Sequence, residues 1–276
     1  MGLRRVLFVR HGECEMNLAL GSVVGGRADD SPLTARGEAQ AEALAAGARE
    51  YVARRATLDR PLAKSGACAG WPAGAGASAL TPLRACRGRA VGLPSECARS
   101  PWFASTAVRA RETAAIAGRA LASAIASEGE GAVTLPCEAA TLSSEIVELD
   151  MGDFAGRLRA DVYSADVRAT IAANPWDFKP PNGESQHEVE VRVRSFVERE
   201  VLPVAVPGGP PAVVVAHGLA IKCFLRHVLG SDAAMTWKVR LDNCSITEVG
   251  FEEDVTARDA GWHVLRVNDT AHLREL

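Results

Sequence analysis

The chain has 276 residues, 47% of them hydrophobic, and a formal net charge of −3 at pH 7. This length and apolar content suit one large α/β domain or two small ones with a sizeable core. The slightly acidic balance argues against nucleic acid or an anionic membrane surface as a partner. No apolar run approaches the roughly 18 residues of a membrane span, and no signal-peptide pattern precedes the first predicted strand, so we expect a cytoplasmic protein.

Metal and disulfide chemistry have little support in the sequence. The seven cysteines are an odd number, are widely spread and contain no Cys-x-x-Cys pair, a pattern typical of reduced thiols. The histidines form no His-x-x-x-His or His-Glu-x-x-His pair, and a Walker-type phosphate loop is absent. We therefore expect neither a metal ion nor another cofactor.

The first predicted strand, residues 6–9, is a run of four apolar residues followed by Arg10-His11-Gly12. Such a run is typical of a strand buried on both faces, in a parallel sheet covered by helices. Open α/β sheets bind ligands beyond the carboxyl ends of their strands. Arg10 offers a planar fork for phosphate oxygens, and a neutral His11 can be a nucleophile, a base or a metal ligand. A strand can also end in Arg-His without any function.

The segment after this strand, residues 13–30, has several glycines and no periodicity, so we predict a loop that can bring backbone N–H groups close to an anion. Thr34 is a suitable N-cap for a helix predicted to run from residue 35 to about residue 55. Gly37 in its first turn lowers the helix propensity, which indicates a close approach of backbone there.

Residues 56–99 change in composition to Ala, Gly, Pro, Ser and Arg, without a sustained period. One interpretation is a basic lid that attracts an anionic substrate. The other, which the pattern favours, is a solvated surface insertion.

A second strand is predicted at residues 101–105, followed by a helix to about residue 127. Arg109 falls in the first turn of that helix, where the helix dipole already favours anions, and Arg111 is expected on the surface. Pro136 indicates that residues 132–136 form an edge strand.

The last third of the chain alternates predicted helices and strands. Helices are predicted at residues 161–173 and 186–200, and a strand at residues 212–216 ends in His217-Gly218 before another helix to about residue 229. Two closing segments, residues 243–249 and 261–267, alternate as paired strands do.

Several of these motifs together resemble the histidine phosphatase superfamily, the phosphoglycerate-mutase-like enzymes. The matching elements are Arg10-His11-Gly12-Glu13 with Asn17, Ser105 with Arg109–Ala114, Glu148–Gly156, Pro181–Ser185, His217-Gly218 and Asn243–Thr247. The resemblance implies a three-layer αβα sandwich with a mostly parallel central sheet, formed as a single domain over residues 1–276, with the insertion at 56–99 as the largest departure.

The resemblance also implies roles for individual residues. His11 is then the nucleophile that forms a phosphohistidine, and Glu148 is the proton donor, with Glu145 as its rival. The other site residues that the resemblance implies hold the phosphoryl oxygens, and these are Arg10, Asn17, Arg109, His217 and Gly218. The Glu and Ser of the Pro181–Ser185 motif are as suited to capping a helix as to touching substrate.

Metal-independent hydrolysis of a small phosphorylated metabolite is the function that this resemblance favours. Gly26-Arg27-Ala28-Asp29 replaces the Gly-Trp-x-Asp of the mutases, which argues against mutase transfer. The first motif is similar to that of the fructose-2,6-bisphosphatase branch, but the residues ahead of Gly183 are not. A non-catalytic phospho-ligand-binding or scaffolding relative is a further alternative, and the oligomeric state stays open.

Overall fold

The computed structural model describes residues 2–45, 93, 95–126, 139–253 and 260–276. Most of the predicted insertion at residues 56–99 lies outside this part of the chain. The edge strand predicted at 132–136 lies outside it. Residues 46–55 of the helix predicted over residues 35–55 also lie outside it, and the helix that the structure describes there ends at Ala43.

Six strands form one mixed sheet in the described part of the chain. They are β1 (Arg4–Arg10), β2 (Trp102–Ser105), β3 (Thr141–Ser143), β4 (Ala212–Ala216), β5 (Ile246–Glu252) and β6 (Gly261–Asp269). Their order is β3-β2-β4-β1-β5-β6. The first four in this order pair parallel, whereas β5 and β6 add an antiparallel edge. The predicted mostly parallel sheet is confirmed, and β3 is a strand that the sequence did not reveal.

The described helices lie between these strands. They are α1 (Glu15–Ala19), α2 (Ala35–Ala43), α3 (Val108–Ala126), α4 (Arg159–Val162), α5 (Ala165–Ala173), α6 (Gln186–Phe196), α7 (Gly218–Leu229) and α8 (Met235–Lys238). Helix α6 continues into a π-helical turn, Val197–Val201. Short 3₁₀ turns lie at Ser95–Arg99, Ser144–Ile146, Gly152–Phe154, Leu202–Val204 and Ala271–Leu273.

Two predictions of local structure were wrong. The segment predicted as a loop contains α1, which begins where the Asn17 side chain accepts a hydrogen bond from the backbone N–H of Cys14. A helix this short cannot show apolar periodicity. The single helix predicted at 161–173 is two helices, because Tyr163 leaves the helical conformation and Ser164 caps α5.

The core consists of two layers, one on each face of the sheet. Leu7 and Val9 of β1 face α2 and α3, whereas Val6 and Phe8 face α6 and α7. All four side chains are fully buried. This alternation of faces explains why the centre of β1, residues 6–9, is apolar at every position, as expected for a strand covered on both sides. The predicted arrangement of a sheet between helical layers is therefore confirmed.

Helix α2 presses against the segment that follows β1. The Thr34 hydroxyl accepts a hydrogen bond from the Gly37 N–H, as predicted for an N-cap. A Cβ atom at Gly37 would lie 2.0 Å from the carbonyl oxygen of Glu13. The expected close approach at Gly37 is confirmed, and it holds the residues beside His11 against α2. Among the described helices, none combines the length and apolar character needed to cross a membrane.

Candidate active site

The register of the sheet brings the two predicted site histidines together. Arg10 at the end of β1 is paired with Ala216 at the end of β4, so the next residues, His11 and His217, leave the sheet side by side. Their ring centroids lie 5.1 Å apart, and both side chains are buried. Residues separated by about two hundred positions in sequence thus meet at the carboxyl edge of two parallel strands, where α/β sheets bind ligands.

The hydrogen bonds of His11 define which ring nitrogen can react. Its Nδ1 lies 2.7 Å from the carbonyl oxygen of Gly12. Because a carbonyl can only accept, Nδ1 carries the hydrogen and Nε2 keeps its lone pair. That lone pair accepts a hydrogen bond from Arg109 Nε, 3.3 Å away. Burial, followed by the charges of Arg10 and Arg109, lowers the pKa of His11 well below its ordinary value, so the ring is neutral.

Arg109 is buried in the first turn of α3, whereas Arg111 is exposed, as the sequence predicts. The carbonyl oxygens of Ala28 and Gly26 accept from the two terminal nitrogens of the Arg109 guanidinium. The glycine-containing loop after β1 therefore orients this cation with carbonyl oxygens.

The guanidinium of Arg10 is turned toward the start of α7. Its Nη1 donates to the carbonyl oxygen of Leu241 at 2.6 Å. Its Nε is buried and has no hydrogen-bond partner among the described residues. A Cβ atom at Gly218 would lie 3.4 Å from this Nε, so Arg10 is in van der Waals range of the first residue of the helix.

His217 is positioned by Ser105, the last residue of β2. The Ser105 hydroxyl lies 2.7 Å from His217 Nε2 and also accepts the N–H of Ala107. This arrangement favours donation from the hydroxyl to Nε2, which leaves the hydrogen on His217 Nδ1. Nδ1 is buried without a hydrogen-bond partner in the described part of the chain. Burial, then the neighbouring His11, Arg109 and Arg10, lowers the pKa of His217 well below its ordinary value.

The two candidate proton donors lie in different surroundings. Glu148 lines a cavity together with Arg10 and Gly218. Its carboxylate oxygens accept the N–H groups of Leu219 and Ala220 in the first turn of α7, at 3.1 and 3.2 Å. The Glu145 carboxylate instead forms an ion pair with Arg199 at 2.6 Å and does not line the cavity.

A half-buried charge network holds the segment that carries Glu148. Arg192 donates to the carbonyl oxygens of Glu145, Val147 and Glu148, at 2.8, 2.8 and 3.1 Å. Glu184 lies between Arg192 and Arg27 and forms ion pairs with both. From the sequence, the Glu and Ser of the 181–185 motif could either cap a helix or touch substrate. Ser185 caps α6, whereas Glu184 supports the Glu148 segment.

Asn17 is linked to the His11 segment through Asn243, a residue that the sequence analysis assigned to a motif without a role. Asn243 Nδ2 donates to the backbone oxygen of His11 and to Asn17 Oδ1, both at 3.0 Å. Asn17 Oδ1 also accepts the N–H of Cys14. The Asn-x-Ser-Ile-Thr motif was the signal in the sequence for Asn243.

The cavity that adjoins these residues has a volume of about 540 Å³. Its walls are mostly apolar and aromatic, and include Leu149, Met151, Tyr163, Ile171, Phe178 and Trp237. Charged side chains on the wall include Arg159 and Lys222, which the sequence analysis did not single out. Among the described residues, no cluster of three or more His, Cys, Asp or Glu side chains could hold a metal ion.

A comparison with protein families gives one decisive match. Residues 6–57 and 87–270 match the family model described as histidine phosphatase superfamily, branch 1. The chain belongs to the histidine phosphatase superfamily. The expected membership is confirmed, and the match leaves out residues 58–86, which fall inside the predicted insertion. A particular similarity to fructose-2,6-bisphosphatase stays a prediction.

Curated relatives of this member of the superfamily carry the name "Probable phosphoglycerate mutase GpmB". The protein from Enterobacter sp. (strain 638) is 31% identical over 134 residues, which is 48% of this chain and 60% of the relative. The protein from Salmonella arizonae is 30% identical over 135 residues, 48% of this chain and 61% of the relative. The matched part of the chain thus spans about three fifths of the length of these relatives.

Solved structures with the same fold include two phosphatases. A mycobacterial glucosyl-3-phosphoglycerate phosphatase aligns with a TM-score of 0.61 at 22% identity, over 97% of this chain and 100% of the other. A phosphoserine phosphatase variant from Entamoeba histolytica, in complex with phosphoserine, aligns with a TM-score of 0.60 at 18% identity, over 98% of each chain. At this level of identity the likeness establishes the fold.

Proposed function

We propose that this chain is a metal-independent phosphomonoesterase that hydrolyses a small phosphorylated metabolite through a phosphohistidine on His11. The observation that carries the proposal is the orientation of the His11 ring. Its Nδ1 is bonded to the Gly12 carbonyl, and its Nε2 lone pair faces the guanidinium of Arg109. A nucleophile for phosphorus needs such a lone pair, with a cation beside it to hold the phosphoryl oxygens.

The groups around His11 can bind the phosphoryl oxygens. Arg109 donates to these oxygens in place of its contact with His11, which frees the nucleophile. Arg10 Nε and His217 Nδ1, both buried without a partner among the described residues, are further donors. The amide nitrogen of Asn17 adds a neutral donor, since its oxygen is already engaged. Together these donors supply the electrostatic stabilisation that phosphoryl transfer requires.

Two proton transfers by Glu148 complete the reaction. In the first step His11 Nε2 attacks phosphorus, the bond to the ester oxygen breaks, and Glu148 gives its proton to that oxygen. In the second step water attacks the phosphohistidine, Glu148 takes a proton from the water, and the phosphorus–nitrogen bond breaks to release inorganic phosphate. The N–H groups at the start of α7 stabilise the carboxylate that forms between the steps.

Mutase transfer is the second candidate, because the GpmB relatives carry a mutase name. In a mutase the phosphohistidine gives its phosphoryl group to a second hydroxyl instead of water. We favour hydrolysis because Arg27 occupies the position of the Trp in the mutase motif and is engaged in an ion pair with Glu184.

The proposal is tested with a panel of phosphorylated metabolites in the presence of EDTA, with released phosphate and phosphoglycerate mutase activity measured in parallel. We expect phosphate release that survives the chelator, and an acid-labile, base-stable phosphoryl label on the wild type. His11→Ala is expected to lose both, whereas His187→Ala, which removes an exposed histidine outside the cavity, is expected to keep both. Labelling of the His11→Ala variant would contradict the assigned nucleophile.

A further inference from the structure

Lys222 lies on the cavity face of α7, one helical turn after Gly218. Gly218, Leu219 and Lys222 all belong to the cavity wall, as expected for residues spaced by three and four positions on one helix. The Lys222 side chain is half-buried, and it forms no ion pair within the described part of the chain. A cation is thus held at the wall of a mostly apolar cavity without a direct ion pair in the described part of the chain, although the charge of Glu148 on the same wall acts on it.

The acidic groups on the same wall are already engaged. Glu184 is paired with Arg27 and Arg192, and the Glu148 carboxylate accepts N–H groups of α7. Burial, followed by the charge of Arg10, lowers the pKa of Lys222, although the charge of Glu148 acts in the opposite direction. An anion bound beside Lys222 would offset both the desolvation and the repulsion.

Lys222 lies on the side of the site where the leaving group of the substrate would be bound. Glu148, the proposed proton donor to the ester oxygen, is part of the same wall. The group attached to that oxygen therefore extends into this cavity. A volume of about 540 Å³ with walls such as Tyr163, Phe178 and Trp237 accommodates a metabolite with considerable apolar surface.

We propose that Lys222 binds a carboxylate on the leaving group, so that the substrates are phosphomonoesters of carboxylated alcohols with an apolar body. The assignment rests on the proposed function, because that function decides which end of the substrate faces Lys222. A carboxylate is favoured over a second phosphate because one ammonium matches one negative charge. A phosphate dianion is better matched by several donors, or by the planar fork of an arginine.

The test uses matched aryl phosphates: the three carboxyphenyl phosphates, the corresponding carbamoylphenyl phosphates, and phenyl bisphosphates. For each enzyme we compare kcat/KM for a carboxyphenyl phosphate with kcat/KM for the matching carbamoylphenyl phosphate, using the isomer that the wild type hydrolyses best. We expect this ratio to be about tenfold lower in Lys222→Met than in the wild type, as for the loss of one charge-assisted hydrogen bond. Lys222→Arg keeps most of the ratio because it keeps the charge. Lys238→Met removes an exposed lysine outside the cavity wall and is the matched control. Using ratios cancels the different acidities of the phenols.

Binding of carboxybenzyl and carbamoylbenzyl phosphonates, measured by calorimetry, separates this inference from the proposed function. These compounds are not hydrolysed, so a preference for the carboxylate that depends on Lys222 supports the inference even if no ester is turned over. Equal ratios in the wild type and Lys222→Met, in both hydrolysis and binding, overturn it. A larger dependence on Lys222 for the bisphosphates than for the carboxylates overturns the carboxylate assignment.

Discussion

His11 Nε2 lies 3.3 Å from Arg109 Nε, and the imidazole and the guanidinium meet in a buried site. A protonated imidazole could not accept this hydrogen bond, and it would be repelled by the positive charge of Arg109. The contact therefore depends on a neutral His11. His217, which lies in ring contact with His11, is also neutral, because burial and then the neighbouring His11, Arg109 and Arg10 lower its pKa.

The first prediction concerns stability at acidic pH. The pKa values of His11 and His217 are lowered well below the ordinary 6.5, first by burial. Above that value both rings are neutral in the native and unfolded states, and they contribute no pH dependence. Below it the two histidines bind protons in the unfolded chain but stay neutral in the native state. The free energy of unfolding therefore falls, as the pH is lowered, by up to about 1.4 kcal/mol per pH unit for each ring.

Urea unfolding measured from pH 7 down to pH 5 tests this prediction. His217→Gln removes one of the two groups, so its unfolding free energy should depend less steeply on pH than that of the wild type. A wild type whose stability rises toward pH 5 in step with His217→Gln would contradict buried neutral rings.

The second prediction separates Glu148 from Glu145. Glu148→Gln removes the proposed acid and should lower kcat about 10²- to 10⁴-fold for esters with poor leaving groups. The loss should be smaller for aryl esters, whose phenolate leaves without a proton. Glu145→Gln changes a carboxylate that is paired with Arg199 outside the cavity, and should retain most of the activity. A greater loss in Glu145→Gln than in Glu148→Gln would reverse the assignment.

The third prediction concerns Arg192, which binds three carbonyl oxygens of the Glu148 segment. Arg192→Met removes the donor to the Glu145 and Val147 carbonyl oxygens, whereas the Glu148 oxygen and the Glu184 carboxylate keep Arg27. We expect a cost of about 1–3 kcal/mol in the free energy of unfolding. Because the segment carries Glu148, kcat should fall as well. The control is Arg194→Met on the same helix, which removes an exposed i,i+4 ion pair with Glu198. We expect Arg192→Met to lower the free energy of unfolding, measured in urea, and kcat more than Arg194→Met does. Equal changes in the two variants would show that the Arg192 network is unimportant.

The fourth prediction concerns the contact between α2 and the His11 segment. Gly37→Ala puts a Cβ atom within 2.0 Å of the Glu13 carbonyl oxygen, a backbone atom that cannot turn aside. We expect a destabilisation of about 1–3 kcal/mol, typical of overpacking, together with reduced activity. Gly21→Ala, where the added Cβ meets nothing within 4 Å, is the control. A Gly37→Ala protein as stable as Gly21→Ala would show that α2 can move away from the segment.

The sequence alone determined the local elements of the fold, including the carboxyl ends of β1 and β4, where the two site histidines lie. The apolar residues of β1 and β4, each followed by a histidine and a glycine, were sufficient to predict two buried strands with functional groups at their ends. The N-cap Thr34 and the close approach at Gly37 were also predictable. These features depend on neighbours in sequence, where periodicity and capping preferences act.

Only the tertiary structure decided how distant residues combine. The pairing of Arg10 with Ala216 places the two histidines side by side, and Arg192 reaches across from α6 to hold the Glu148 segment. Helix α1 and strand β3 are too short to carry a periodic signal. The surroundings of Glu145, Glu148 and Lys222 depend on contacts between separate elements. Such contacts are set by packing and strand register over the whole chain, which no local pattern encodes.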